Sequence, residues 1–184
     1  MAKFYDELND MLREFIAAQQ MFFHATAAKD GRINLSPKGL DTFRVLDNQR
    51  VGYLDLTGSE CETAAHIAAD GRLTIMFCSF AEKPLILRLH GRGAVVHERD
   101  AAWRELRPLF PNIPGERQII LLHIESIMTT CGFAVPMYEF KGQRDTLPEF
   151  TCKMGDERMD AYRREKNVTS LDGLPTYLFE DAPK

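Results

Sequence analysis

Short alternations of apolar and polar residues recur along the chain and predict strands, while a longer period at its start predicts a helix. In residues 6–19, Leu8, Met11, Leu12, Phe15 and Ile16 fall on one helical stripe. Residues 21–27 and 32–38 read as two strands joined by Lys29-Asp30-Gly31-Arg32, a hairpin turn in which Asp-Gly tolerates positive φ. In the second of them Ile33, Leu35 and Pro37 share one side and Asn34, Ser36 and Lys38 the other. Period two is expected to send one set to a core and leave the other to meet a ligand. Pro37 has no N–H to donate, which places that end of the strand at a sheet edge.

The same pattern predicts a connection over 39–49, a third strand over 51–56, and a helix from about residue 60 to 69 closed by Asp70-Gly71. Residues 72–80 alternate Leu73, Ile75 and Phe77 with Thr74, Met76 and Cys78. Residues 85–97 alternate Leu85, Leu87 and Leu89 with Ile86, Arg88, His90 and Arg92, and Gly91 and Gly93 mark a bulge or tight bend. A short helix is expected over 101–109. Residues 117–128 are apolar on both faces around Ile119–Leu122, as in a central strand. Beyond Cys131 prolines, glycines and charges dominate, with a solvated helix over 156–166. The fold class expected is mainly β with flanking helices: a six-stranded Greek-key split barrel. It forms one domain over 1–184, with a helical lead-in (1–20), a barrel (21–130) and a C-terminal arm (131–184).

The loop Thr57-Gly58-Ser59 leads into the helix near residue 60, and two readings compete there. A helix start with free backbone N–H groups binds anions, and Lys38 would supply a countercharge. Equally, Ser59-Glu60-Cys61-Glu62 fits a capping box, in which Ser and Glu satisfy those N–H groups themselves.

Composition narrows the function classes. The net charge of −4 argues against a general nucleic-acid binder. No apolar run is long enough for a membrane helix, and the first ten residues do not read as a signal peptide. Cys61, Cys78, Cys131 and Cys152 form no C-x-x-C pair and are expected as free thiols in a reducing cytoplasm. The histidines, His24, His66, His90, His97 and His123, lack metal-ligand spacing, so no metal site is expected. Neither G-x-S-x-G nor H-E-x-x-H occurs, and Gly91-Arg92-Gly93 opens no helix, so it is no dinucleotide fingerprint.

Three segments, ATAAKDGRINLSPKG, YLDLTGSECETAAHIAADGRLTIMF and ILRLHGRG, resemble the pyridoxamine 5'-phosphate oxidase-like family of FMN-binding split β-barrels. The likeness spans residues 22–135 and is nearest to the branch that carries SPKG. It implies an FMN phosphate held by the strand lysine, Lys38, and by the loop and helix start at Thr57, Ser59 and Thr63. Asn34 and Ser36 would reach the ribityl chain or ring. Arg88, in a polar stripe with His90 and Arg92, reads equally as a wall beside the cofactor or as a solvated barrel face. It also implies a homodimer with the cofactor at or near the interface and the tail laid across the partner. Two departures stand out. The authentic oxidases carry Ser-Arg-Lys where this chain has Cys61-Glu62-Thr63, and the tail lacks their Arg-x-His substrate pattern. The expected function is therefore an FMN-dependent oxidoreductase acting on an unknown small molecule, with no catalytic residue singled out. The alternative is a non-catalytic module that binds or senses flavin, haem or a deazaflavin.

Overall fold

A computed structural model describes residues 2–180. In chain order its elements are β1 (Lys3–Tyr5), α1 (Asp10–Ala17), β2 (Phe22–Ala27), β3 (Ile33–Lys38), β4 (Phe43–Val45), β5 (Arg50–Leu56) and α2 (Glu62–Ala69). They continue with β6 (Arg72–Cys78), β7 (Ile86–Val96), α3 (Trp103–Leu106), β8 (Glu116–Thr130), α4 (Thr146–Met154) and α5 (Asp156–Lys166). One antiparallel sheet runs β3-β2-β6-β7-β8-β5-β4, with β1 paired to the far end of β8. It curls until its two arms face each other: Phe22 on β2 packs against Phe43 on β4 and Tyr53 on β5, with centroids 5.0 and 5.3 Å apart. The curl needs local breaks, and the register shifts at His90/Gly91, where a Cβ on Gly91 would meet the His123 carbonyl at 1.9 Å. The expected split barrel with flanking helices is what forms.

The sheet has eight strands rather than six. The two unforeseen ones, β1 and β4, are three residues each, too short for a period-two signal. The lead-in helix starts four residues later than expected because Asn9 caps it, accepting from the Leu12 N–H at 3.1 Å. α4 was not foreseen. Its Pro148 sits in the first turn, where a helix has no partner for the missing N–H. β8 is central, between β7 and β5, and α5 spans the residues expected.

On β3 the period holds but its sign is reversed. Ile33 and Leu35 are 78% and 66% exposed, and Asn34, Ser36 and Lys38 turn inward. The register fixes this: Asn34, Ser36 and Lys38 sit opposite Thr26, His24 and Phe22, which β2 directs into the barrel. The inward polar groups find partners there, so nothing forces the apolar set inside.

The capping box does not form. α2 begins at Glu62, and the Cys61 side chain at its N-cap makes no capping bond to the helix. The Glu62 carboxylate instead accepts from the Leu171 N–H at 2.7 Å. That bond belongs to a wider docking of the tail, expected as an arm over a partner, onto its own barrel. Asn167 donates to the Gly58 carbonyl, Asp172 pairs with Arg32, and Arg99 donates to the carbonyls of Tyr177, Leu178 and Glu180. Among the described residues no helix is long and apolar enough to cross a membrane.

Candidate functional site

The inward face of β3 meets α2 and β2 in a buried polar cluster. The Asn34 amide donates to the hydroxyls of Thr26 and Thr63, both at 3.0 Å, while its carbonyl oxygen accepts from Ser36. Each threonine hydroxyl that accepts from Asn34 also bonds a histidine ring. Thr63 Oγ1 lies 3.1 Å from His24 Nε2 and Thr26 Oγ1 lies 3.0 Å from His66 Nδ1. His24 Nδ1 in turn shares a hydrogen bond of 2.6 Å with the Tyr53 hydroxyl. Burial, followed by the charge of Lys38, lowers the His24 pKa from 6.5 to about 3, so the ring is neutral. Burial also pushes the Tyr53 hydroxyl well up.

Beside this relay lies a charged group. Asp55 stands in the middle of the fully buried stretch of β5. Lys38 Nζ reaches one of its oxygens at 3.0 Å, and Arg117 and Gln118 on β8 reach the other at 2.7 and 2.9 Å. Burial would raise this carboxyl, but Arg117 and then Lys38 outweigh it and hold it well below the usual carboxylate range. The Cys61 thiol, at the wall of the same pocket, is pushed up by burial and is no nucleophile in waiting.

His24, Asn34, Ser36, Lys38, Asp55, Cys61, Thr63, Arg117 and Gln118, with Glu60 and Glu62, line a pocket of about 40 Å³ that opens at the start of α2. Lys38 and Arg117 flank the buried Asp55 carboxylate, while Glu60 and Glu62 stand at the mouth and Glu62 accepts from the tail. The first turn of α2 has no side-chain cap, and Gln118 Oε1 is buried without a partner. Lys38 uses one of its three N–H groups on Asp55. Lys38 and the uncapped α2 N–H groups are the donors here that suit a small anionic head group.

Of the residues expected at the site, Asn34, Ser36, Lys38 and Thr63 line this pocket. Thr57 does not: it donates to the Gly115 carbonyl and accepts from Arg163. Ser59 is exposed on the loop. Arg88 is on the outer face of β7, because Leu87 and Leu89 occupy the core face; it donates to Thr130. The sequence reading missed His24, Asp55, Arg117 and Gln118. A signal existed for two of them: His24 alternates with Phe22 and Thr26 on a strand, and Asp55 interrupts an apolar run.

A second cavity adjoins the first through Lys38. It is a cleft of about 670 Å³ between the end of β3 and residues 140–150. Gln143 pins its outer wall, donating to the Gln20 carbonyl at 2.9 Å and accepting from the Leu40 N–H at 3.2 Å.

Residues 8–131 match the family model described as pyridoxamine 5'-phosphate oxidase. The pyridoxamine 5'-phosphate oxidase family protein ustO of Aspergillus flavus is 36% identical over 195 residues, covering 95% of this chain and 78% of that protein. Two crystal structures share the fold. HupZ of Group A Streptococcus has a TM-score of 0.51 at 22% identity, covering 65% of this chain and 91% of that one. A candidate pyridoxamine 5'-phosphate oxidase from Lactobacillus delbrueckii has 0.54 at 21% identity, covering 68% and 98%.

Proposed function

The chain belongs to the pyridoxamine 5'-phosphate oxidase family, and from that premise we propose that it binds FMN and acts as a flavin-dependent oxidoreductase on a small molecule. The observation that carries the reading is the placement of Lys38 and Arg117 beside an uncapped α2 start in one pocket. A phosphate monoester carries about −1.5 to −2 charges at neutral pH and needs a cation and several donors. Lys38 and the α2 N–H groups would hold it, with Arg117 behind them. Asn34, Ser36 and Thr63 orient the wall. The pocket takes the head group alone, so the remainder of the cofactor would lie outside it. Bound flavin would supply hydride and electron transfer. A homodimer in the cytoplasm completes the proposal.

A second reading has its own support. His24 is neutral and locked between Tyr53 and Thr63, and Asp55 is consumed by its ion pairs. Neither of these buried groups is a free acid or base, which favours a module that binds or senses flavin without turnover.

The purified protein tests both. Flavin absorbance, or saturable binding of added FMN that Lys38→Ala weakens, supports the cofactor. A colourless protein that ignores FMN refutes it, and haem or deazaflavin binding would replace it. Repeated bleaching by NADH or NADPH and recovery with oxygen supports an enzyme; bound flavin without turnover supports the module. Rapid oxidation of pyridoxamine 5'-phosphate would show a vitamin B6 oxidase despite the altered tail.

A further inference from the structure

We propose that the cleft between the end of β3 and residues 140–150 binds an organic acid with an apolar body. Its role as a substrate site rests on the flavin reading above, whereas the binding itself does not.

The cleft has the size of a small-molecule site, about 670 Å³. Its walls are apolar: Met21, Leu40, Phe140, Leu147 and Phe150 face it. Phe140 and Phe150 remain 52% and 46% exposed there, so an apolar occupant would take ring surface out of water. The wall that carries them is already in place, because Gln143 ties it to the barrel at two backbone groups. A preformed wall spares a ligand the entropy of ordering it.

Charge decides the ligand's polar end. Arg144 lines the cleft and has no ion-pair partner among the described residues. Lys38 lines it too, and carries two N–H groups beyond the one spent on Asp55. No Asp or Glu lines this cleft. An apolar body among the rings with one carboxylate at Arg144 matches this lining, and a planar guanidinium pairs with a carboxylate through two parallel bonds. The similarly large groove near α5 differs. There Arg107 already pairs with Glu116, and Glu98, Asp156 and Asp160 add acid.

The test uses two fluorescent probes with one ring system: 1-anilinonaphthalene-8-sulfonate, an anion, and neutral N-phenyl-1-naphthylamine. Both are titrated into the full chain, and decanoate is added as a competitor. One saturable site per chain is expected, emptied by decanoate. Arg144→Gln should weaken the anionic probe about tenfold, as loss of a charge-assisted bond does, and leave the neutral probe unchanged. Phe150→Ala should weaken both. Neither residue is buried, so the variants should fold, and circular dichroism checks this. Probe binding indifferent to both substitutions, or no saturable binding, overturns the proposal. FMN is titrated separately into the same proteins. If FMN binds but the probes do not, the cleft assignment alone fails; if the probes bind but FMN does not, the flavin reading alone fails. Displacement of the probes by FMN would give the cleft to the cofactor and overturn a separate acid site.

Discussion

The side-chain amide of Asn34 donates to the hydroxyl of Thr63 at 3.0 Å, and this bond closes the seam between the edge strand β3 and the first turn of α2. The contact joins residues 29 apart in sequence and opens a chain of buried hydrogen bonds. Thr63 in turn bonds His24, and His24 bonds Tyr53. Removing the Thr63 hydroxyl strands two buried groups at once, the Asn34 amide and His24 Nε2. Thr63→Val should therefore cost about 1–3 kcal/mol in urea unfolding. Asn34→Ala should cost a similar amount. The double variant should cost clearly less than the sum, since the two residues share one bond. Additive losses would show that the seam carries no coupling.

The His24 environment predicts a pH dependence. Its pKa falls from 6.5 to about 3 on folding, so the folded chain binds fewer protons than the unfolded chain between those values. Its contribution is complete above about pH 6.5 and is lost as the pH falls toward 3. In that window the residue alone gives a slope of about 1.4 kcal/mol per pH unit. Denaturant midpoints between pH 7 and 4.5, compared for the natural chain and His24→Gln, should show the variant flatter by roughly one proton. Equal slopes would mean that His24 titrates normally in the folded state.

Most of the strands were legible because period-two alternation survives in single sequences. What the alternation cannot state is which face turns inward. On β3 the apolar set, Ile33 and Leu35, looked like the core face, yet the partner strand already supplied an inward polar row of His24 and Thr26. The hydrogen-bond demand of that row reversed the choice. Arg88 is a different case. Its alternation with Leu87 and Leu89 marks the outer face of β7, and alternation alone does not say whether that face meets solvent or a ligand. Asp55 and Arg117 lie 62 residues apart, and only the pairing of β5 with β8 brings them together. No local spacing announces such a pair.

That pair divides the roles of the two cations. Arg117 is buried with Asp55, so Arg117→Met leaves a buried carboxylate with Lys38 and Gln118 alone; a loss of about 3–5 kcal/mol is expected. Lys38 is partly exposed, and Asp55 keeps Arg117 when it is removed. Lys38→Met should cost at most about 1 kcal/mol while lowering FMN affinity. Thermal unfolding with and without FMN separates the two. A large stability loss in the Lys38 variant would place it in the structural frame rather than at the ligand.

The start of α2 offers a final comparison, because two accounts of Glu62 predict different substitution patterns. In a capping box, Ser59 and Glu62 would each satisfy a backbone N–H, and Ser59→Ala would cost about 1 kcal/mol. In this structure Ser59 is exposed at the loop and Glu62 accepts from Leu171, so Ser59→Ala should be neutral within about 0.5 kcal/mol. Glu62→Ala should loosen residues 168–176 and raise their proteolysis, since the tail loses the acceptor that holds its backbone. Glu62→Gln keeps that acceptor and removes a negative charge from the first turn of the helix. It should leave the tail protected and tighten FMN binding severalfold, because the helix start then meets the phosphate without a competing carboxylate. Limited proteolysis and FMN titration on the three variants read these outcomes separately. Unchanged FMN affinity in Glu62→Gln would put the phosphate elsewhere than the start of α2.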